Sequence, residues 1–200
     1  MEDTDVMIES KGVTKSFPLG GGREIEVLHG IDMIVPAGKL TILKGRSGSG
    51  KTTLLNLLSA LDRPTQGQIY WGDKEIGKAT EQERECLRRK DMGFVFQTVA
   101  LIPVMNAYEN VDFGLRLAQT TEKREERVRE CLELVGLKNR MNHMPGEMSG
   151  GEQQRVAIAR AIAHKPKVIF ADEPTGALDT NTGLAVMHLF KELIERENVT

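Results

Sequence analysis

The sequence predicts an α/β fold: a core organised around a phosphate-binding loop, a β-rich amino-terminal part and an inserted helical segment. Three observations carry that reading. Residues 45–53 read Gly-Arg-Ser-Gly-Ser-Gly-Lys-Thr-Thr, which satisfies the pattern G-x-x-x-x-G-K-[ST] in full. The apolar run Leu40-Thr41-Ile42-Leu43 precedes that loop, and Leu54, Leu55, Leu57 and Leu58 follow it at helical spacing. A second apolar run, Val168-Ile169-Phe170-Ala171, is continuous, as a parallel strand covered on both faces requires.

Bulk properties narrow the class. Two hundred residues suit one domain, here 1–200, with room for a substantial core. With 40% hydrophobic and 28% charged residues the composition is that of an ordinary soluble globular chain. A formal net charge of −2 supplies no dominant basic face, so nucleic acid is not an expected partner. The two cysteines, Cys86 and Cys131, sit in charged helical stretches without metal-type spacing and read as free thiols of a reducing cytosol. The start, Met-Glu-Asp-Thr-Asp, is acidic and lacks the basic and apolar regions of a signal peptide. No apolar run approaches the ~20 residues a membrane span needs. The chain is expected to be cytoplasmic or peripheral, with any membrane role reached through a partner.

The elements follow in order. Residues 7–17 read as a strand-pair region, and Leu19-Gly20-Gly21-Gly22 as a turn. Residues 25–28 and 31–35 read as further strands, closed by Pro36-Ala37-Gly38 and leading into the strand before the phosphate loop. After the loop helix, residues 62–67 connect to a short strand at 68–71. Residues 80–89 are polar and helical, with Glu and Arg spaced to pair, and 92–96 form an apolar strand. Helices are expected at 106–118 and 121–135. In the second, Val128, Leu132 and Val135 make one apolar stripe, residues 122–127 a solvated face, and Gly136 a stop. A further helix covers 150–164, ending before Pro166, and a last one covers 182–196. The helical insertion thus lies between Gln97 and Lys165.

The phosphate loop carries the first piece of chemistry. Its candidate binding residues are Gly45, Arg46, Ser47, Gly48, Ser49, Gly50, Lys51, Thr52 and Thr53. Glycines let the backbone turn tightly, so that successive N–H groups point at one phosphate chain. Lys51 adds a mobile positive charge for the β- and γ-phosphates, and the Thr52 hydroxyl can ligate Mg²⁺. The helix that begins here aims its positive dipole end at the same anion. A nucleoside triphosphate is the implied ligand.

The second piece follows the strand at 168–171. Asp172 and Glu173 are adjacent carboxylates at the carboxyl end of a buried parallel strand, where charge is costly without a counterion. A bound Mg²⁺ supplies one: Asp172 would hold the metal, commonly through water, and Glu173 would act on the attacking water as general base. Taken alone, such a pair is also an ordinary strand-end turn. The third piece is Met148-Ser149-Gly150-Gly151-Glu152. Ser149 and Glu152 form a capping-box pattern, which by itself marks only a helix start. Two glycines in the first turn cost stability there, and bare N–H groups at a helix start make an anion site.

In this order, the phosphate loop, Gln97, the Ser-Gly-Gly stretch, the Asp172-Glu173 pair and Ala177-Leu178-Asp179 resemble the ATP-binding cassette (ABC) ATPases over nearly the whole chain. The resemblance implies a P-loop NTPase (RecA-like) core with an amino-terminal antiparallel β subdomain and an inserted α-helical subdomain. The core would take about 1–97 and 166–200, and the helical subdomain about 98–165. It implies ATP and Mg²⁺ as the bound species, with Lys51, Gln97 and Glu173 in catalysis and Thr52, Gln97 and Asp172 around the metal. Gln97 would also report nucleotide state to the helical subdomain. The signature residues Ser149, Gly150, Gly151 and Glu152 would serve a second copy: Ser149 and Gly151 would contact the γ-phosphate of ATP held by that copy's phosphate loop. Two copies would then sandwich two nucleotides head to tail, with Asp179 at their interface. Phe17 sits where the family stacks an aromatic ring on adenine; a core aromatic is the other reading. Met148, Glu152 and Phe17 replace the commoner Leu, Gln and Tyr and keep volume, capping and stacking face.

Residues 27–32, 45–56, 151–161 and 171–176 resemble the macrolide-exporter, lipoprotein-release and antimicrobial-peptide-resistance group in particular. The implied function is ATP hydrolysis at the inner face of the cell membrane, powering export or extraction of a lipid, lipoprotein, peptide or drug through an integral membrane permease subunit. The alternative is an ABC ATPase of a mechanotransmission or regulatory complex that transports nothing itself. Leu101-Ile102-Pro103-Val104-Met105 is apolar and lies where such ATPases receive a coupling helix; a buried loop core would read the same. The family also carries a switch histidine after one more strand, whereas His29, His143, His164 and His188 stand in other contexts. The chain is therefore expected to be carboxyl-terminally incomplete, and on its own unstable and nearly inactive.

Overall fold

The computed structural model describes residues 5–200; the acidic start read at 1–5 lies, apart from Asp5, outside them. The chain divides into two compact units, one running to Arg88 and taking in Thr200, the other Arg89–Val199.

The first unit is a four-stranded antiparallel sheet carrying the loop helix. Strands β1 (Val6–Gly20), β2 (Arg23–Pro36), β3 (Gln66–Trp71) and β4 (Lys74–Glu75) stand in the order β2-β1-β3-β4. Residues 7–17 belong to one long strand rather than a strand pair, and β2 joins what the sequence pattern divides at His29-Gly30. A bulge makes that possible. Lys15 faces Leu28 while Val13 faces Ile31, so two residues of β2 oppose one of β1. Gly30 takes φ of 68° there, a left-handed conformation that glycine adopts without strain. Helix α1 (Lys51–Leu58) buries Leu54, Leu57 and Leu58, in a unit whose core also holds Ile8, Val13, Leu28, Ile69 and Trp71. The Trp71 indole N–H donates to the Leu58 carbonyl at 3.2 Å, satisfying one of the acceptors left at the end of α1. Helix α2 (Glu81–Asp91) adds the Arg84 guanidinium, which donates to the carbonyls of Ala60 and Asp62 at 2.7 and 2.9 Å.

Residues 40–43 depart from expectation. Although Leu40 to Leu43 make an apolar run, they lie in neither sheet, and Leu40 and Ile42 are 40% and 57% exposed. An extended segment becomes a strand only where a neighbour accepts its ladder hydrogen bonds, and none does so among the described residues.

The second unit is helical around a parallel strand pair. β5 (Met92–Val95) and β6 (Val168–Ala171) run in register from Met92 opposite Val168 to Val95 opposite Ala171. The helices are α3 (Ala107–Leu117), α4 (Arg124–Leu134), α5 (Gly150–Ile162) and α6 (Thr180–Glu197). α5 is the central one: Gln154, Val156, Ala157, Ile158, Ala159, Ala161 and Ile162 are all buried, and it touches α3, α4, β5 and α6. α4 begins later than expected because Lys123 takes φ of 50°, which breaks the helix before Arg124. Buried Arg127 on α4 donates to the Ile162 and Ala163 carbonyls at 3.0 Å and to Glu197 at 2.7 Å, so one guanidinium ties three helices together. Buried Asn110 on α3 shapes the loop before it, accepting from the Ile102 N–H at 2.8 Å and donating to the Met105 carbonyl at 2.8 Å. Val104 at the tip of that loop is 80% exposed, so the stretch 101–105 is not a buried loop core throughout. Among the described residues, no helix is long and apolar enough to cross a membrane.

Candidate functional site

In the first unit, the phosphate-loop residues form a glycine-turned loop that ends on α1. The Ser49 N–H donates back to the Arg46 carbonyl at 3.2 Å, and Gly48 takes φ of 77°. Gly50 is the N-cap of α1, left-handed at φ 87° and without a side-chain cap. Glycine is required there twice over, since a Cβ would also lie 2.8 Å from Leu28 Cδ2. At Gly45 a Cβ would lie 2.5 Å from Ser49 Oγ, so a larger residue there would require the Ser49 side chain to turn away. Lys51 Nζ donates to the Gly45 and Arg46 carbonyls, both at 3.1 Å, which folds its ammonium over the loop. Arg46, Ser47, Gly48, Ser49 and Thr52 are exposed, while Thr53 is half-buried. An uncapped helix start, left-handed glycines and an ammonium held over the loop make a cradle whose chemistry fits a phosphate chain.

Phe17 lies in the same unit on β1, opposite Ile25 on β2, and is 37% exposed, so it is not a buried core aromatic. Lys15, two residues back, holds its ammonium 5.1 Å from the Phe17 ring centroid. That ammonium is anchored by Asp62 at 2.7 Å and the Arg63 carbonyl at 2.8 Å. Sequence reasoning passed over Lys15; its spacing of two from an exposed aromatic on one strand was the available signal.

In the second unit, the Asp172 N–H donates to the Val95 carbonyl at 3.0 Å, extending the β5–β6 ladder by one residue. Glu173 follows at φ 45°, a conformation rare for residues other than glycine and costly enough to need support from its surroundings. The turn it starts is closed by the Gly176 N–H donating to the Glu173 carbonyl at 2.9 Å. Gln97 is brought to this turn: a Cβ on Gly176 would lie 3.4 Å from Gln97 Nε2 and 3.5 Å from Glu173 Cβ.

The signature stretch starts α5 with a complete capping box. Ser149 Oγ accepts from the Glu152 N–H at 3.3 Å, and the Glu152 carboxylate accepts from the Ser149 N–H at 2.8 Å. The Ser149 N–H holds the Glu152 carboxyl below its usual range, against desolvation, with help from the Ser149 hydroxyl and the charges of Arg140 and Arg155. The two glycines differ. Gly151 is buried, and a Cβ there would lie 2.4 Å from Thr182 Cγ2, so packing demands it. Gly150 is exposed and meets only Leu178, at 4.0 Å, so packing does not explain it. Thr182 belongs to α6, whose N-cap is Asp179. The Asp179 carboxylate accepts from the N–H groups of Asn181 and Thr182 at 3.1 Å and from the Thr182 hydroxyl, bonds that hold its carboxyl below the usual range. Gly151 and Asp179 are thereby linked through Thr182, a residue with no signal in the sequence.

The family model for the ABC transporter matches residues 28–176. The lipoprotein-releasing system ATP-binding protein LolD of Syntrophotalea carbinolica is 43% identical over 195 residues, covering 97% of this chain and 86% of its own length. The macrolide export ATP-binding/permease protein MacB of Nitrosomonas europaea is 43% identical over 196 residues, 96% of this chain and 30% of the relative. An ABC transporter ATP-binding protein of Methanocaldococcus jannaschii is 43% identical over 199 residues, 97% of this chain and 84% of the relative. A solved structure of that cassette, a dimer in a post-hydrolysis state bound to ADP and Pi, has a TM-score of 0.86 at 40% identity and covers 96% of this chain and 84% of that one. On these matches the chain belongs to the ABC transporter family.

Proposed function

We propose that the protein is the ATP-binding and ATP-hydrolysing subunit of an ABC transporter, driving export or extraction of a lipid, lipoprotein, peptide or drug through a separate membrane subunit. The observation that carries this is the loop at 45–53. Its left-handed Gly50, uncapped helix start and inward-folded Lys51 suit a triphosphate, and it stands in a chain of this family. Residues 45–53 hold the phosphates of ATP, and Phe17 stacks on the adenine. Thr52, Gln97 and Asp172 offer the hard oxygen donors that Mg²⁺ prefers, and the ion neutralises charge on the β- and γ-phosphates when bound. Glu173 takes a proton from the attacking water, and Lys51 and Gln97 steady the charge that develops on the transferred phosphoryl group.

A second copy completes each site. Ser149, Gly150, Gly151 and Glu152 form an anion-receiving helix start, and Ser149 and Gly151 meet the γ-phosphate held by the partner copy, with Asp179 at the interface. The dimeric state of the M. jannaschii cassette supports this arrangement. The names of the relatives support a membrane partner, since MacB joins an ATP-binding and a permease part in one chain. We assign the exposed loop around Val104 to that partner and place the protein on the inner face of the membrane. The RecA-like and β core is read at about 1–97 and 166–200, with the helical subdomain at about 98–165.

Two variants test the assignment. Lys51→Ala should lose ATP binding, whereas Glu173→Gln should keep binding and lose hydrolysis, by about 10²-fold or more for a missing general base. Unchanged turnover in Glu173→Gln would overturn the assignment.

A further inference from the structure

The capping box that starts α5 brings a cost to the site it builds. Glu152 satisfies the Ser149 N–H at 2.8 Å, and its own N–H donates to Ser149 Oγ at 3.3 Å. With Oγ accepting from the Glu152 N–H, the single Ser149 hydroxyl proton can turn from the Glu152 carboxylate to an incoming anion. Yet the same carboxylate places a full negative charge one turn from where a triphosphate is to arrive. A glutamine would cap equally well without that charge. The structure supplies the compensation from outside the signature. Arg140, on the short 3₁₀ turn Lys138–Arg140, brings Nε to 3.2 Å from the other Glu152 oxygen. Its Nη1 lies 2.9 Å from His143 Nε2, which steadies the guanidinium from its other side. Glu152 is thereby engaged through both oxygens, and its side chain is only 19% exposed.

We infer that Arg140 is a positioning residue for this anion site: it neutralises and orients Glu152, so that Ser149 and Gly151 can receive a triphosphate without repulsion from their own cap. The inference rests on the proposed two-copy ATP site. As a surface ion pair, Arg140 and Glu152 add little to stability, so their coupling should appear in ligand-driven association rather than in folding. Uncompensated, a carboxylate a few ångströms from a phosphate at surface dielectric weakens binding by about tenfold.

The test uses the Glu173→Gln protein, titrated with Mg-ATP and followed by size exclusion with light scattering. Arg140→Gln should raise the ATP concentration at half-dimerisation about tenfold. In a Glu152→Gln background, where the charge that Arg140 neutralises is gone, adding Arg140→Gln should raise it no further, the coupling that a double-mutant cycle isolates. Arg140→Lys, which keeps the charge, should fall between parent and Arg140→Gln. Binding of a fluorescent ATP analogue to the phosphate loop should be equal in all of them. An Arg140→Gln protein that dimerises like the parent, or an Arg140→Gln loss that persists in the Glu152→Gln background, overturns the inference. If the Glu173→Gln parent stays monomeric with ATP bound, the two-copy reading itself fails and the inference falls with it.

Discussion

A Cβ on Gly151 would lie 2.4 Å from the methyl carbon of Thr182, so the first turn of α5 and the first turn of α6 meet where only glycine fits. Inside a helix, alanine ordinarily stabilises by about 1 kcal/mol over glycine. Here the added methyl overpacks a buried contact, at a cost of about 1–3 kcal/mol. Gly151→Ala is therefore expected to lower stability by about 1 kcal/mol net, measured by urea unfolding. Thr182→Ser removes the methyl while keeping the hydroxyl bond to Asp179, so the double variant should recover what Gly151→Ala loses. Equal stability of the two Gly151→Ala proteins would show that the contact is not the cause.

Phe17 presents an exposed ring with the Lys15 ammonium behind it. If that ring stacks on adenine, Phe17→Ala should weaken ATP binding by about 1–3 kcal/mol, while Phe17→Tyr should leave it nearly unchanged. Lys51→Ala should abolish binding of both ATP and GTP, because both present the same phosphates. Competition titrations with a fluorescent nucleotide would distinguish these effects, and full affinity in Phe17→Ala would remove the ring from the site.

Asp112 on α3 is buried between two cations, accepting from Arg116 Nε at 2.7 Å and Arg124 Nε at 2.9 Å. Desolvation pushes its carboxyl up, but the bonds from Arg124 and Arg116 outweigh it and hold the group below the usual carboxylate range. The unfolded chain therefore takes up this proton before the native one does. The resulting stability is fully present above the ordinary aspartate pKa of about 3.9, and is lost as pH falls through the lower native value. Asp112→Asn should be less stable than wild type at pH 7, by about 1–3 kcal/mol, and should lose less on acidification. Urea midpoints measured at both ends of that range check the sign; parallel pH profiles for the two proteins would contradict it.

Local patterns were legible in the sequence, and long-range partnerships were not. The run at 168–171 forms β6 over the same residues, because a continuous apolar run bounded by Lys167 and Asp172 leaves little choice of ends. Ser149 and Glu152 announce their capping box three residues apart, and Gly48 and Gly50 announce a loop that needs positive φ. By contrast, Leu40 and Ile42 have the composition of a strand but not the ladder partners, which composition cannot supply. The bulge at Gly30 hides one strand as two, since the extra residue resets the alternation that pattern reading relies on. Thr182 against Gly151, Arg140 against Glu152 and Lys15 beneath Phe17 are side-chain relationships across elements or along a twisted strand. Each became visible only once the backbone placed the pair together.

In the proposed two-copy site, ATP on one copy is completed by Ser149 and Gly151 of another. This arrangement is tested most directly by the mass of the Glu173→Gln protein, by size exclusion with light scattering, with and without Mg-ATP. A monomer is expected without nucleotide and a dimer with it, and Ser149→Arg in the same background is expected to bind ATP yet stay monomeric. A Glu173→Gln protein that binds ATP and remains a monomer would contradict it, as would a Ser149→Arg variant that dimerises equally well.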